Sequence, residues 1–186
     1  MLTFFMEHSA LDWQKQIYLN GFSGHRSLVP VDFDTLEKRA QRCLSSDAFA
    51  YIAGGAGREI TLRNNLRAFE SRHIVPRMLR DVSERNTTVE IFGKRMPSPL
   101  LLAPVGVLEL VHPDADAAVA RAASVLHVPY IFSNQASVPM EACASKMGNS
   151  PRWFQLYWSK SNELVQSFIQ RAERCGCEAL VVTLDT

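Results

Sequence analysis

The sequence predicts an α/β fold built on a parallel sheet and preceded by a helical segment. Two observations predict it. From about residue 98 onward, four short apolar runs alternate with segments of helical apolar spacing, as in a parallel sheet with crossover helices. Up to about residue 70, the apolar residues follow helical spacing. A composition of 47% hydrophobic and 21% charged residues is that of a globular chain, and it excludes disordered, collagen-like and coiled-coil classes.

The helical segment contains short helices separated by loops. Asp32 or Asp34 is an N-cap candidate, because a carboxylate there can accept hydrogen bonds from the free N–H groups of a first helical turn. Gly21 to Pro30 is predicted to be a loop. The predicted helices are Leu11 to Leu19, Phe33 to Leu44, Ala48 to Ala53 and Arg58 to Phe69.

A glycine cluster separates the last two of these helices. Gly55-Ala56-Gly57 resembles the beginning of a dinucleotide-binding fingerprint, but Ile60 stands where the third glycine is needed. The fingerprint also requires a strand before the glycines, and the residues there predict a helix. A Rossmann-type dinucleotide site is therefore excluded.

A hairpin and then the strand–helix repeats follow. Thr87 to Phe92 alternates like a half-buried strand, and Gly93 with Lys94 is the predicted hairpin turn. The predicted strands of the sheet are Leu100 to Pro104, Pro129 to Ser133, Trp153 to Tyr157 and Ala179 to Thr183, and the predicted helices are Pro113 to Leu126, Pro139 to Met147 and Ser161 to Cys175.

Residues at the helix ends support this assignment. Pro113 suits the first position of its helix, and Asp114 and Asp116 suit the positive end of the helix dipole. Ser161 is a predicted N-cap and Gly176 a predicted helix stop.

Four strands separated by helices fit either an open doubly wound sheet or half of a barrel. A (β/α)8 barrel takes about 250 residues, so residues 98–186 have the length that its N-terminal half would occupy. We therefore predict the first four barrel strands in residues 98–186. A helical segment and hairpin that cap the barrel are predicted in residues 32–97, and an N-terminal extension in residues 1–31.

Polar residues end three of the four predicted strands. In each case two polar residues are spaced i, i+2, so both side chains are expected on the same face of the strand. The first strand ends instead in Pro104-Val105-Gly106, where a flat ligand can lie against the backbone. Ligands bind at the carboxyl ends of parallel strands, so these residues predict a site without defining its ligand. The three pairs are Ser133 and Gln135, Gln155 and Tyr157, and Thr183 and Asp185.

Charge and apolar pattern exclude several function classes. A formal net charge of +1 gives no electrostatic footprint for nucleic acid. No apolar run approaches the roughly 20 residues of a membrane-spanning helix, and the N-terminus lacks the basic region of a secretion signal. The four cysteines match neither a CxxC redox pair nor a zinc motif, so we expect reduced thiols, no metal site and a cytoplasmic protein.

Four motifs follow one another along the chain: Tyr51-Ile-Ala-Gly-Gly-Ala56, Ala103-Pro-Val-Gly106, Phe154-Gln-Leu-Tyr157 and Thr183-Leu-Asp-Thr186. In this order and spacing they resemble the FMN-dependent 2-hydroxy-acid oxidase and dehydrogenase family, which includes glycolate oxidase, lactate oxidase and lactate monooxygenase. The resemblance implies a (β/α)8 TIM barrel, FMN as cofactor and a homo-oligomer when the barrel is complete. It also implies oxidation of a lactate-like L-2-hydroxy acid to the 2-oxo acid.

The resemblance assigns a role to each polar strand end. It implies that Tyr51 binds the substrate carboxylate, that Tyr157 contacts the reacting hydroxyl, and that Asp185 orients a catalytic histidine. Tyr157 and Asp185 are thus the expected catalytic residues, and Tyr51 and Tyr157 the expected substrate-binding residues. The expected flavin-binding residues are Pro104, Val105, Gly106, Ser133, Gln155 and Thr183.

Two residues depart from the family pattern. Gln135 stands where many members have an aromatic side chain, which affects the expected substrate size. Gly106 stands where many members have alanine, and we hypothesise that the missing methyl group leaves space over the flavin and alters its reaction with oxygen or the release of product.

The histidine base, the arginine for the substrate carboxylate and a lysine near the flavin come from later strands in the family. The chain of 186 residues alone is therefore expected to be inactive. Two alternatives are a non-catalytic truncated remnant and a different α/β barrel enzyme that binds a phosphate-bearing ligand at the same strand ends.

Overall fold

The computed structural model describes residues 10–26 and 29–185. They form two compact units, one that runs to Pro76 and one that begins at Arg77. The first nine residues of the predicted N-terminal extension, and Thr186 of the last motif, lie outside the described residues. The predicted boundaries at residues 31 and 97 stay a prediction. No helix among the described residues is long and apolar enough to cross a membrane.

The first unit is helical, as the apolar spacing predicts. Its helices are α1 (Ala10–Phe22), α2 (Phe33–Cys43), α3 (Ser46–Ala53) and α4 (Ile60–Glu70). The Asp32 carboxylate accepts a hydrogen bond from the backbone N–H of Thr35 at 2.8 Å, so Asp32 and not Asp34 is the N-cap of α2. The Ser45 hydroxyl caps α3 in the same way by accepting from the N–H of Ala48 at 3.2 Å.

The second unit begins with the predicted hairpin, but its turn lies one residue earlier. Strands β1 (Val89–Ile91) and β2 (Lys94–Met96) pair antiparallel, with Ile91 opposite Lys94. The two turn residues are therefore Phe92 and Gly93, both with positive φ (52° and 72°), as a type I′ turn requires. The prediction of Gly93 and Lys94 was wrong because Phe92 adopts the left-handed conformation, with its ring against that of Trp153 (centroids 5.6 Å apart).

A parallel sheet follows in the order β3, β4, β5. Its strands are β3 (Tyr130–Phe132), β4 (Arg152–Tyr157) and β5 (Leu180–Thr183), and Phe132 lies opposite Phe154, which lies opposite Leu180. The strand predicted over Leu100 to Pro104 was wrong in extent. Only a single parallel bridge joins Leu102 to Tyr130. Prolines at both ends of this segment remove backbone donors that a longer ladder needs.

Helices α5 (Ala115–Leu126), α6 (Met140–Met147) and α7 (Asn162–Arg174) connect these segments. Ser161 caps α7 as predicted, because its hydroxyl accepts from the N–H of Leu164 at 3.2 Å. Pro113 does not occupy the first position of α5. The N–H of Ala115 bonds to the carbonyl of His112, and this tight turn delays the start of the helix to Ala115.

The sheet has a buried cluster on each face. On one face the strands pack against the three helices through Tyr130, Phe132, Phe154 and Leu156. On the other face Ile131 and Trp153 pack with Met96 of the hairpin, and Val181 joins them. Alternate residues of each strand therefore belong to different clusters, as the pleat requires. Gln155 and Tyr157 share the face of Trp153, and they lie beyond this second cluster toward the carboxyl end of β4.

Candidate functional site

A row of hydrogen-bonded side chains crosses the carboxyl end of the parallel sheet. The Ser133 hydroxyl, directly after β3, donates to the Gln155 carbonyl oxygen at 3.2 Å. The Gln155 amide nitrogen, in β4, donates to the Thr183 hydroxyl oxygen at 2.9 Å, at the end of β5. The structure thus brings together one predicted residue from each of three neighbouring strands. We call Ser133, Gln155 and Thr183 the polar row.

The polar row lies in a mostly dehydrated position. Gln155 is only 7% exposed and Ser133 is buried, while Thr183 is half-buried. Buried amide and hydroxyl groups must be paired, so these contacts fix the orientation of each side chain. An amide nitrogen carries two hydrogens and the bond to Thr183 uses one of them. The Thr183 hydroxyl can still donate its own hydrogen.

Asn134 also belongs to this strand end, although the sequence analysis did not identify it. Its backbone N–H donates to the Gln155 carbonyl oxygen at 3.4 Å, and its side-chain oxygen accepts from the N–H of Tyr157 at 3.4 Å. Asn134 therefore joins the ends of β3 and β4. The sequence does show a polar residue between Ser133 and Gln135, but a search for polar residues spaced i, i+2 does not select it.

The segment after Leu102 lies against the loop that follows β3. The backbone N–H of Val107 donates to the carbonyl oxygen of Gln135 at 3.1 Å. A β-carbon added to Gly106 would lie 3.3 Å from the Gln135 β-carbon and 3.4 Å from its carbonyl oxygen. Gly106 therefore lets this segment approach the loop closely. The predicted Pro104, Val105 and Gly106 lie on this segment, next to the end of β3.

The spacing rule fails for Gln135 because the chain turns. Strand β3 ends at Phe132, and the N–H of Gln135 bonds back to the Ser133 hydroxyl oxygen at 3.0 Å. Gln135 is exposed while Ser133 is buried, so the two do not share one environment. Of the three predicted pairs, only Gln155 and Tyr157 lie wholly within a strand.

The remaining predicted residues occupy three different positions. Tyr157 is half-buried and lies opposite Thr183 in the register of β4 and β5, directly beside the polar row. Asp185 is exposed, two residues beyond the end of β5. Tyr51 lies on α3 in the first unit, with 67% of its surface exposed.

A second buried polar cluster surrounds Asp116 in the same unit. Asp116 in the first turn of α5 is fully buried, and its carboxylate accepts hydrogen bonds from the backbone N–H groups of Ser137 and Val138 and from the Tyr130 hydroxyl. Burial, and then the adjacent carboxylate, raise the pKa of Tyr130 far above its ordinary value, so the phenol remains a donor. We expected Asp116 only as a charge at the helix dipole.

Burial disfavours the thiolate form of two cysteines in the second unit. Burial raises the pKa of Cys143 to about 11 and that of Cys177 to about 12. A thiol is nucleophilic only as the thiolate, so the raised pKa values disfavour nucleophilic chemistry at both groups near neutral pH.

Comparison with known proteins identifies the family. The family model described as FMN-dependent dehydrogenase matches residues 40–186, most of the chain. The chain belongs to the FMN-dependent dehydrogenase family. FMN is the cofactor of this family, and its members are oxidoreductases that include 2-hydroxy-acid oxidases.

Individual members of the FMN-dependent dehydrogenase family match at substantial identity. An L-lactate oxidase from Lysinibacillus sphaericus is 46% identical over 157 residues, which are 84% of this chain and 41% of that protein. A 4-hydroxymandelate oxidase from Amycolatopsis orientalis is 41% identical over 83% of this chain and 43% of that protein. The chain therefore spans less than half the length of these relatives.

Solved structures of the same family superimpose on the chain. A crystal structure of mandelate oxidase matches with a TM-score of 0.78 and 39% identity, over 84% of this chain and 47% of the other. A putative lactate oxidase from Pediococcus acidilactici matches with a TM-score of 0.81 and 30% identity, over 87% of this chain and 45% of the other.

The polar row fits the chemistry of a flavin ring. The pyrimidine edge of the ring presents an N–H donor between carbonyl acceptors, and hydroxyl and amide groups can serve as both donors and acceptors. The row contains no charged side chain, so it suits a neutral heteroaromatic edge better than a phosphate group, which favours cationic donors. Gly106 has no side chain, and the space that a β-carbon would occupy there borders Gln135.

Proposed function

We propose that this chain forms the flavin-binding part of an enzyme that oxidises a lactate-like L-2-hydroxy acid to the 2-oxo acid. The observation that carries the proposal is the polar row, which joins three strand ends at the edge where parallel α/β folds bind ligands. The similarity to lactate and hydroxymandelate oxidases supports a 2-hydroxy acid as substrate.

In this proposal the three parallel strands and the Leu102 bridge are the first half of a (β/α)8 barrel. Its second half would bring a histidine base, an arginine and a lysine to the same edge. The proposed flavin contacts are the backbone of Pro104, Val105 and Gly106 with the side chains of Ser133, Gln155 and Thr183.

The substrate side of the proposal uses three further residues. Bound FMN would supply the redox chemistry by taking up the two electrons removed from the substrate. Tyr157, beside Thr183, would donate a hydrogen bond to the reacting oxygen, and Tyr51 would bind the carboxylate. Asp185 would orient the histidine base and stabilise its charged form, the role that a carboxylate has beside a histidine base.

The proposal is tested by anaerobic titration of the complete, FMN-loaded protein with L-lactate, D-lactate and L-mandelate. We expect bleaching of the flavin's visible absorbance by L-2-hydroxy acids and formation of the matching 2-oxo acid. A protein that binds FMN but is reduced by none of these acids would contradict the proposed substrate class. A complete protein that binds no FMN would favour the non-catalytic remnant or the different barrel enzyme.

A further inference from the structure

We propose that Asp116 is a positioning residue for the flavin site: through the loop of residues 134–138, it sets the place of both the polar row and the Gly106 segment. The inference rests on the proposed function, because it assigns Asp116 a consequence for FMN binding. The hydrogen-bond partners of Asp116, which are Ser137, Val138 and Tyr130, are not themselves proposed flavin-binding residues.

The first step is the burial of a charge. Asp116 has no exposed surface, and burying a carboxylate is costly unless its oxygens accept hydrogen bonds. One oxygen, Oδ2, accepts from the N–H groups of Ser137 at 2.9 Å and Val138 at 3.1 Å. The other, Oδ1, accepts from the Tyr130 hydroxyl at 3.1 Å.

These bonds fix a loop rather than a helix. Ser137 and Val138 lie in the connection between β3 and α6. Because they are outside the sheet, its strands offer no hydrogen-bond acceptor to their backbone N–H groups. Two neighbouring backbone donors that share one carboxylate oxygen restrict the conformation of the loop. Asp116 therefore defines the path of the chain directly after Ser133.

The loop in turn holds the segment that contains Gly106. The Gln135 carbonyl oxygen accepts from the N–H of Val107 at 3.1 Å, and the Ser137 hydroxyl accepts from the N–H of Glu109 at 3.1 Å. A shift of the loop would thus move the backbone beside Gly106. The Ser133 hydroxyl, which accepts from the N–H of Gln135, would lose its orientation at the same time.

Burying the Asp116 carboxylate costs solvation free energy, which an exposed carboxylate at the start of the helix would retain. An exposed carboxylate can interact favourably with the positive end of a helix dipole, and Asp114 already lies at the N-terminal end of α5. Asp116 lies instead on the buried stripe of α5 with Ala120 and Ala123. The structure therefore indicates that this carboxylate serves the loop and not the helix end.

The test measures FMN dissociation constants and unfolding midpoints of the complete protein for three variants. Asp116→Ala removes the acceptor for both loop amides, and we expect the FMN dissociation constant to rise about tenfold or more. Asp116→Asn retains one carbonyl oxygen for these amides and should restore most of the affinity. Tyr130→Phe removes only the phenol contact, so we expect lower stability with an unchanged FMN dissociation constant.

Two results separate positioning from general stability. Equal FMN affinity in wild type and Asp116→Ala would overturn the inference while leaving the proposed function intact. Parallel losses of affinity and stability in Asp116→Ala and Tyr130→Phe would also overturn it. If the wild-type protein binds no FMN, the proposed function fails and the inference fails with it.

A milder variant decides the question if Asp116→Ala does not fold. Ser137→Ala leaves the backbone bonds to Asp116 in place and removes the acceptor for Glu109. We expect the FMN dissociation constant to rise about threefold with little change in stability. Ser145→Ala, which removes a similar hydroxyl on α6, is the matched control. An unchanged dissociation constant in Ser137→Ala would then overturn the inference.

Discussion

At the scale of single residues, one amide connects the ends of three strands. The Gln155 carbonyl oxygen accepts from the Ser133 hydroxyl and from the N–H of Asn134, while its nitrogen donates to Thr183. Each of these partners is wholly or partly buried. Leaving a buried donor or acceptor unpaired costs about 1–3 kcal/mol. Gln155 therefore determines how the neighbouring hydroxyl groups can face a ligand.

Replacement of Gln155 tests the polar row directly. Gln155→Met keeps a side chain of similar length but removes every hydrogen bond of the amide. We expect the FMN dissociation constant of the complete protein to rise about tenfold or more, in keeping with the loss of about 1–3 kcal/mol. Fluorescence titration of FMN measures it. Gln166→Met, the same change at an exposed position on α7, should bind FMN as the wild type does.

Substitution of Gly106 tests the contact between its own segment and the loop that follows β3. A methyl group there would lie 3.3 Å from the Gln135 β-carbon, closer than an ordinary contact, so the loop must shift by a few tenths of an ångström. We expect Gly106→Ala to change the rate of the oxygen reaction or the product ratio of the complete enzyme. Stopped-flow kinetics and product analysis measure these quantities.

Gly21→Ala is the matched control for that change, because an added β-carbon at Gly21 meets no atom within 4 Å. An oxygen rate and product ratio that are both unchanged in Gly106→Ala would refute the hypothesis that this glycine governs reactivity.

The sequence allowed the polar row to be predicted but not the residues that support it. Ser133 follows β3, Thr183 ends β5, and Gln155 lies two residues before the end of β4, and this local pattern of polar residues near strand ends is visible in the sequence. Asp116 was interpreted as a dipole charge, because its partners lie 14 to 22 residues away and are brought to it only by folding. Its spacing to Ala120 and Ala123 placed it on the buried stripe, which was the available signal.

At the scale of elements, two helices end with the same hydrogen-bond pattern but with different residues. In α7 the N–H of Gly176 bonds to the Glu173 carbonyl, and the N–H of Cys177 bonds to that of Ala172. In α5 the N–H groups of His127 and Val128 bond in the same way. Both are Schellman motifs, which contain a residue with positive φ just past the helix (70° at Gly176, the second residue after α7, and 50° at His127, the first residue after α5).

These two positions predict stability changes of opposite sign. His127→Gly removes a β-carbon from a left-handed conformation and should stabilise the protein by about 0.5–1 kcal/mol. Gly176→Ala introduces that strain and should destabilise it by about 1 kcal/mol. Urea denaturation of both variants measures the difference. Changes of the same sign would contradict the argument from backbone conformation.

An ion pair between α6 and α7 predicts a pH dependence. The Arg171 guanidinium donates two hydrogen bonds to Glu141, at 2.7 and 2.9 Å, and these bonds lower the pKa of Glu141 from 4.5 to about 2. A carboxyl whose pKa is lower in the folded state stabilises the fold above its unfolded pKa. That stability is lost as the pH falls from about 4.5 toward 2.

Glu141→Gln measures this contribution. Both side chains are partly exposed, so screening by solvent limits it to about 0.5–1 kcal/mol at neutral pH. We expect the free energies of unfolding of wild type and Glu141→Gln to differ by this amount at pH 7 and to converge below pH 4. Glu173→Gln, an exposed change on α7, is the control. A difference that persists at pH 2 would contradict the assignment.

The limits of prediction at this scale have particular physical causes. Helices with capping residues, such as α7 after Ser161, were predicted nearly to their ends because the signals are local. The strand over residues 100–104 was overpredicted, since its length depends on neighbours and on prolines that interrupt the ladder. The hairpin turn lies one residue earlier than predicted because Phe92 adopts a left-handed conformation, and its ring lies against that of Trp153.

At the scale of the whole molecule, the helices that cover one face of the parallel sheet leave its last strand, β5, exposed on that face. Phe154 and Leu156 of β4 are each 1% exposed beneath the helices. Their partners in register on β5, Leu180 and Val182, are 42% and 46% exposed. Parallel sheets bury both faces in folded proteins, so these apolar side chains are expected to need a further covering element.

This exposed face predicts the behaviour of the 186-residue polypeptide by itself. Exposed apolar side chains on this face of β5, at the edge of the described sheet, favour association, so we expect the isolated polypeptide to self-associate, to bind a hydrophobic dye and to hold FMN weakly. Size-exclusion chromatography with light scattering measures the association. Val182→Lys should reduce the association, because a charge on the exposed apolar face opposes contact through that face. Val31→Lys, an exposed change in the first unit, should leave the association unchanged. A longer polypeptide of the length of the relatives should associate less if it contains an element that covers Leu180 and Val182. A monomeric 186-residue polypeptide with a full complement of FMN would refute the half-barrel interpretation.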